Sequence, residues 1–380
     1  MLVFVASLTA LAAPPPAADD TLPPVNSAGG PDPLLNADEQ QQWLRGRRVF
    51  TRKFRLGDGL GPLFDADSCA ACHRDPVIGG AGDRSVNVVR FGFHDLANDV
   101  FTDVEGGPVV SKLAIPGRPR EEVNPAANVT QERQPPSLLG LGLIDRLPDS
   151  VIEANVIEDE DQNGLITGAA ARIGGRVARF GHKADIPTLR DAVADALGNY
   201  MGITLDRAAS AYARSSDDDD VADPELAMAD FDDLVFFVSH LAPPVPSSEG
   251  LNAALVAAGR DLFEPAGCGA CHVPQLINTE DGTQLNLYSD LLLHRLLPPA
   301  SADPDSIPDV TSGVALPREF RTPPLWGFRN TAPYIHDGKA LTLEQIMSRH
   351  AWESLASART VINSFTDDER AALLEFLRSL

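Results

Sequence analysis

Apolar positions along this chain recur at helical spacing. Leu373, Phe376, Leu377 and Leu380 form one face of a closing helix, which Thr366 and Glu369 can start with a capping box. Thr342 and Gln345 predict another helix, running through His350, with Leu343, Ile346 and Met347 on its buried face. Asn36 and Glu39 cap a third, towards Phe50. The apolar stretch Leu234 to Leu241, which takes in His240, ends at the Pro/Ser linker Ala242-Pro-Pro-Val-Pro-Ser-Ser248. No run alternates convincingly at the period of two that a half-buried strand needs. The expected fold class is mainly α, with short helices joined by long loops.

Two five-residue segments sit among these elements. Cys69-Ala-Ala-Cys72-His73 is followed 199 residues later by Cys268-Gly-Ala-Cys271-His272, and together they use all four cysteines. C-x-x-C-H is the attachment signature of a c-type haem. Two thiols at this spacing reach the two vinyl groups of one porphyrin, and the histidine that follows is held under the iron. Two C-x-x-C pairs could also supply a tetrahedral zinc, but zinc gives the following histidines no role. A thioredoxin-like redox pair needs a βαβ setting that this sequence lacks. Two covalently bound haem c groups are therefore expected, with His73 and His272 as proximal iron ligands.

The flanking sequence repeats weakly. Gly46-Arg-Arg-Val-Phe50 precedes the first motif as Gly259-Arg-Asp-Leu-Phe263 precedes the second. Arg133-Gln-Pro-Pro136 with Leu139-Gly140 echoes Arg321-Thr-Pro-Pro324 with Trp326-Gly327. Two related units with one haem each account for this. A chain of 380 residues has room for both, and its 30 glycines, 31 prolines and 6 % aromatics suit a fold in which a macrocycle fills part of the core.

Charge and the N-terminus bear on location and partners. A net charge of −23 argues against nucleic acid or an anionic membrane and favours a basic redox partner. Leu2 to Ala12 is a short apolar run ending near Ala10-Leu11-Ala12, a small-residue cleavage pattern without a basic region before it. It is too short to span a bilayer. The expected organisation is a signal peptide at 1–13, a disordered spacer at 14–35, an N-terminal domain with insertions at 36–241, a linker at 242–250 and a C-terminal domain at 251–380. Covalent haem attachment and export both point to the periplasm.

Several stretches resemble the di-haem oxidoreductase family of thiol-oxidoreductase-like and peroxidase-like proteins, related to bacterial di-haem cytochrome c peroxidases and to MauG. They are Leu63 to His73, Leu139-Gly-Leu-Gly-Leu143, Tyr288-Ser-Asp-Leu-Leu-Leu-His294, Arg318 to Gly327, His336-Asp-Gly338 and Asp368 to Leu377, in that order. The resemblance implies two cytochrome c-like domains, each wrapped on one haem. It also implies electrons arriving from a small cytochrome or cupredoxin and peroxide as a substrate. His350 lies where the related peroxidases carry the distal methionine of their high-potential haem, with Met347 as the competing ligand. For the N-terminal haem, His94 falls in the stretch where those peroxidases place a removable ligand. Met201 and His182 are weaker candidates, and an open iron is the favoured expectation. The acid/base group of that region is expected to be Asp145, with Glu153 second. The peroxidases place a tryptophan between their haems. Of Trp43, Trp326 and Trp352, none lies between His73 and His240, so Phe91 or Phe93 is expected to line that route.

Asp159, Asp161 and Asn163 before Gly164 match the start of an EF-hand loop, although Ala170 occupies the position of the bidentate glutamate. They form a candidate calcium site, whereas the run Asp217 to Asp220 reads as a solvated loop. Three functions remain in view. A peroxidase-like enzyme takes electrons at the C-terminal haem and reduces peroxide at the N-terminal one. The others are a di-haem electron carrier without catalysis and an oxidase of a protein or thiol substrate.

Overall fold

Two helix crossings of the same kind organise the chain in a computed structural model, which describes residues 22–31, 35–95, 100–102, 104–105, 109–157, 166–296 and 319–380. In the N-terminal half, Ala37–Thr51 crosses Met228–Ser239. In the C-terminal half, Ala253–Phe263 crosses Asp367–Ser379. The repeated glycines sit at the contacts. A Cβ on Gly46 would lie 2.0 Å from the Asp233 carbonyl oxygen, and one on Gly259 would lie 2.0 Å from that of Ala372. The repeated phenylalanines fill the space beside them. Phe50 meets Phe237 at 5.1 Å between ring centroids, and Phe263 meets Phe376 at 5.6 Å.

The equivalence extends past each second helix. Gly140, with a left-handed backbone at φ 77°, donates its N–H to the Leu241 carbonyl at 3.2 Å. Gly327, at φ 70°, does the same to Leu380 at 3.0 Å. Each glycine thus satisfies a carbonyl that the end of a helix leaves open. One apolar core surrounds Trp43, Phe50, Phe231 and Phe237 and also takes in Leu276, Leu287, Leu291 and Leu292 from the C-terminal half. A second surrounds Phe263, Met347, Leu373 and Phe376.

The capping pairs act as the sequence predicts. Asn36 and Thr366 each form a full capping box with the glutamate three residues on, and the Thr342 side chain accepts from the Gln345 N–H. Leu373, Phe376, Leu377 and Leu380 are all buried.

Three expectations are corrected. The helix begun by Thr342 ends at Ser348, two residues short of His350, because Arg349 adopts the cap and donates to the buried Asp337 carboxylate at 2.6 Å. A mainly α fold omits a small antiparallel sheet in which Val88–Asp95 pairs with Val129–Arg133 on one side and with Val109–Val110 and Val100–Thr102 on the other. Its central strand reads Val-Val-Arg-Phe-Gly-Phe-His-Asp, where the buried His94 and Gly92 blur the alternation of period two. The spacer is ordered over residues 22–31. Pro31 bridges to Leu241, the Gly30 carbonyl accepts from the Ala242 N–H at 2.9 Å, and Leu22 packs on the first core. Among the described residues, no helix is long and apolar enough to cross a membrane.

Candidate haem sites and the junction between them

Both C-x-x-C-H segments lie on a short helical turn with the histidine just past it. The His73 Nδ1–H donates to the Pro136 carbonyl at 3.0 Å, and the His272 Nδ1–H donates to the Tyr288 carbonyl at 2.9 Å. A bond of this kind fixes the tautomer and ring direction and leaves Nε2 as the lone-pair nitrogen. Burial pushes both imidazoles down to about 4, so each is neutral, as a metal ligand must be. Burial pushes the Cys69 and Cys268 thiols up to about 12. Buried protonated thiols suit thioether bonds, which carry no charge, better than a zinc that needs thiolates. Among the described residues the cysteines and these histidines form no cluster that could hold a metal ion, which removes the zinc alternative. The donor set fits two c-type haems, which the four cysteines, His73 and His272 would hold.

The candidate distal ligands differ in what the fold asks of them. The His350 Nδ1–H turns back to donate to the Ile346 carbonyl at 2.8 Å. This is the arrangement of His73 and His272, and a charge on His350 would be felt at His272. Met347, in contrast, is part of the second apolar core. His94 is buried on the central strand, whose other end pairs Val88 with Arg133. Six residues of strand put it about 20 Å along the sheet from the segment that fastens His73. Met201 is buried in the first core. The His182 ring is committed to the Gln134 carbonyl, donating Nε2–H at 3.1 Å.

The two candidate acids already have structural partners. Asp145 accepts from the Leu189 N–H at 3.0 Å, at the start of the helix Leu189–Ala196, and burial raises its pKa. Glu153 is ion-paired with Arg172. Asp65, which sequence reasoning passed over, has a buried Oδ2 without a hydrogen-bond partner. Burial raises it to about 6, and its charge acts on Cys72. Asp159, Asp161 and Asn163 lie outside the described residues. The run Asp217 to Asp220 is not a plain solvated loop. Asp217 accepts from the Asp219 N–H at 3.1 Å, and the turn brings these two and Glu225 to within 4.8 Å of one another.

The two halves meet on aromatic and cationic groups. The turn at 181–184 docks on Glu319–Arg321: the Arg321 N–H donates to the His182 carbonyl at 2.9 Å, and Lys183 Nζ donates to Glu319 at 2.7 Å. Phe320 stacks on His336 at 4.3 Å, and His336 faces His182 edge-on at 6.4 Å. Of the two expected to line the route, Phe91 is buried on the central strand and Phe93 is 41 % exposed. On the far side of Cys271, His294 donates Nε2–H to the buried Asp290 at 2.7 Å and has Glu353 Oε2 at 3.5 Å from its Nδ1. Burial alone would lower its pKa, but hydrogen bonds to Asp290, Cys271 and Glu353 outweigh it and hold the proton. Apart from the Asp290–His294 pair, which is four residues apart, these interactions join residues far apart in the chain, so no local motif announces them.

The chain is similar to several known proteins. A curated relative, cytochrome c551 peroxidase of Nitrosomonas europaea, is 28 % identical over 123 residues, so the chain spans about a third (33 %) of that protein's length. Solved structures with some likeness include a MauG-like protein associated with microbial copper homeostasis, at 19 % identity, 92 % coverage of each chain and TM-score 0.43. A variant of the diheme peroxidase BthA from Burkholderia thailandensis aligns at 17 % identity and TM-score 0.42, covering 92 % of this chain and 86 % of that one. Residues 128–380, about two thirds of the chain, match the family described as "Di-haem oxidoreductase, putative peroxidase". The chain belongs to the di-haem oxidoreductase family.

Proposed function

We propose that this protein is a periplasmic di-haem peroxidase-type oxidoreductase in which electrons from a small donor protein enter through the C-terminal half and peroxide is reduced in the N-terminal half. The observation that carries this reading is the asymmetry between the halves. In the C-terminal half, His350 has its Nδ1 bound to a carbonyl, as His272 does, and is near enough for their charges to interact. In the N-terminal half, His94 lies far along its strand and His182 is bound to a carbonyl. Bound haem supplies an iron that shuttles electrons when both sides are liganded and can take peroxide when one side is open.

The chain's residues divide the remaining work. The Cys69/Cys72 and Cys268/Cys271 pairs would tether the haems, and His73 and His272, with orientations set by Pro136 and Tyr288, would supply an imidazole nitrogen to each iron. Reduction of hydrogen peroxide to two waters takes two electrons and two protons. Asp145 is the proton carrier of this reading, since its raised pKa lets it hold and release a proton closer to neutral pH.

Electron paramagnetic resonance of the oxidised, haem-loaded protein tests the assignment. One high-spin and one low-spin signal are expected, and two low-spin signals would make it an electron carrier. Asp145→Asn should lower peroxide turnover about 10²–10⁴-fold with both haem spectra unchanged. Full turnover in that variant would pass the role to Asp65, because Glu153 is held by Arg172.

A further inference from the structure

We propose that His182 is the bridge by which electrons cross from the C-terminal to the N-terminal half. The inference rests on the two-site reading above and names a residue for its electron transfer step.

Hydrogen bonds lead to His182 from both proximal histidines. On the N-terminal side, the His73 Nδ1–H donates to the Pro136 carbonyl at 3.0 Å. Two residues back along the same segment, the Gln134 carbonyl accepts from His182 Nε2–H at 3.1 Å. On the C-terminal side, the His272 Nδ1–H donates to the Tyr288 carbonyl at 2.9 Å. The next residue, Ser289, donates its hydroxyl to the Thr322 carbonyl at 2.7 Å. The residue before Thr322 is Arg321, whose N–H donates to the His182 carbonyl at 2.9 Å. One route therefore ends on the ring of His182 and the other on its backbone. Every link is a covalent bond or a hydrogen bond of ordinary length.

The surroundings hold this geometry. His182 sits in a turn closed by the pairing of Phe180 with Ile186, and the Arg321 side chain donates to the adjacent Gly181 carbonyl at 2.9 Å. The Gln134 N–H donates to the His336 carbonyl at 2.8 Å, so Gln134 touches both histidines of the junction. Ser289 and Thr322 are buried. Coupling through such a packed, bonded path does not depend on a mobile side chain.

Each crossing moves one electron. The C-terminal site is oxidised by one equivalent and the N-terminal site is reduced by one, with the small electron-donor protein restoring the first. His182 gains and loses nothing; it serves as a through-bond link and keeps its proton and its charge.

The test uses haem-loaded protein given less than one reducing equivalent by a flash photoreductant. The rate at which that equivalent redistributes between the two spectrally distinct haems is then followed. His182→Ala and His182→Phe both remove the bond to Gln134, and both keep the backbone bond from Arg321 that anchors the turn. Each should slow redistribution on the order of tenfold or more, as expected when a fixed contact is replaced by a gap. Haem spectra and both midpoint potentials should stay as in the wild type. Wild-type rates in both variants overturn the assignment. Slower transfer accompanied by shifted potentials overturns it too, because a changed driving force then explains the rate. A wild-type protein whose two haems never exchange the equivalent fails the two-site reading itself, and the bridge with it.

Discussion

His350 illustrates how a side chain is committed through its second nitrogen. Its Nδ1 is held by the Ile346 carbonyl at 2.8 Å, so Nε2 is the nitrogen that would reach an iron in the proposed reading, while Met347 is already packed among core residues. Replacing His350 by Gly should turn the C-terminal haem high-spin in its electronic spectrum, and Met347→Leu should leave it low-spin. The reverse result would give the ligand role to Met347. Glu225 shows the opposite situation, an acid placed at a disadvantage. Burial, and then the nearby Asp217 and Asp219, raise it to about 7 against the pull of its Thr204 hydrogen bond. A carboxyl with a raised folded pKa adds stability at low pH that is lost as pH climbs through the folded value, and Asp65, raised to about 6, acts in the same direction. These two carboxyls therefore contribute a fall of the thermal midpoint between about pH 5 and 8. It is set against the rise that His73 and His272, lowered to about 4, contribute as pH climbs towards 6.5. Glu225→Gln should flatten that fall, and an unchanged slope would show that other groups set it.

Elements are fitted to one another mainly through the two helix crossings. Alanine at Gly46 or Gly259 would push a methyl group to 2.0 Å from a backbone oxygen, and no rotamer relieves a clash with backbone. Each substitution should cost about 1–3 kcal/mol in chemical denaturation, the range for overpacking. Gly57 is the control, since an added Cβ there meets nothing within 4 Å; Gly57→Ala should be neutral or slightly stabilising. Equal stability of all three variants would mean that the crossings relax, and that the repeated glycines do not set the helix spacing.

For the whole molecule, charge governs encounter. A net charge of −23 surrounds the protein with a field that would attract a basic donor, were one its partner, over roughly a Debye length, about 10 Å at 0.1 M salt. Reduction by a small basic cytochrome should slow steeply as salt rises, whereas reduction by a small uncharged reductant should not. Parallel salt curves for the two would remove electrostatic steering from the account.

Much was legible in the sequence because it depended on neighbours along the chain. Cys69 to His73 and Cys268 to His272 need only a fixed local spacing to hold a haem. The capping boxes of Asn36 and Thr366 need only the glutamate one turn later. The twin Gly-x-x-x-Phe segments pointed to two related units. The tertiary structure decided what depends on distant partners. The sheet around Val88–Asp95 is stabilised by Val129–Arg133, more than thirty residues away. Asp145 and Glu153 were the acids that the family resemblance implied, yet Leu189 and Arg172 give them structural work. His182 read as a weak ligand candidate until the fold brought Gln134 and Arg321 to it from opposite halves. Spacing along a chain determines which atoms can share one cofactor, but only folding determines which remote carbonyl a histidine meets.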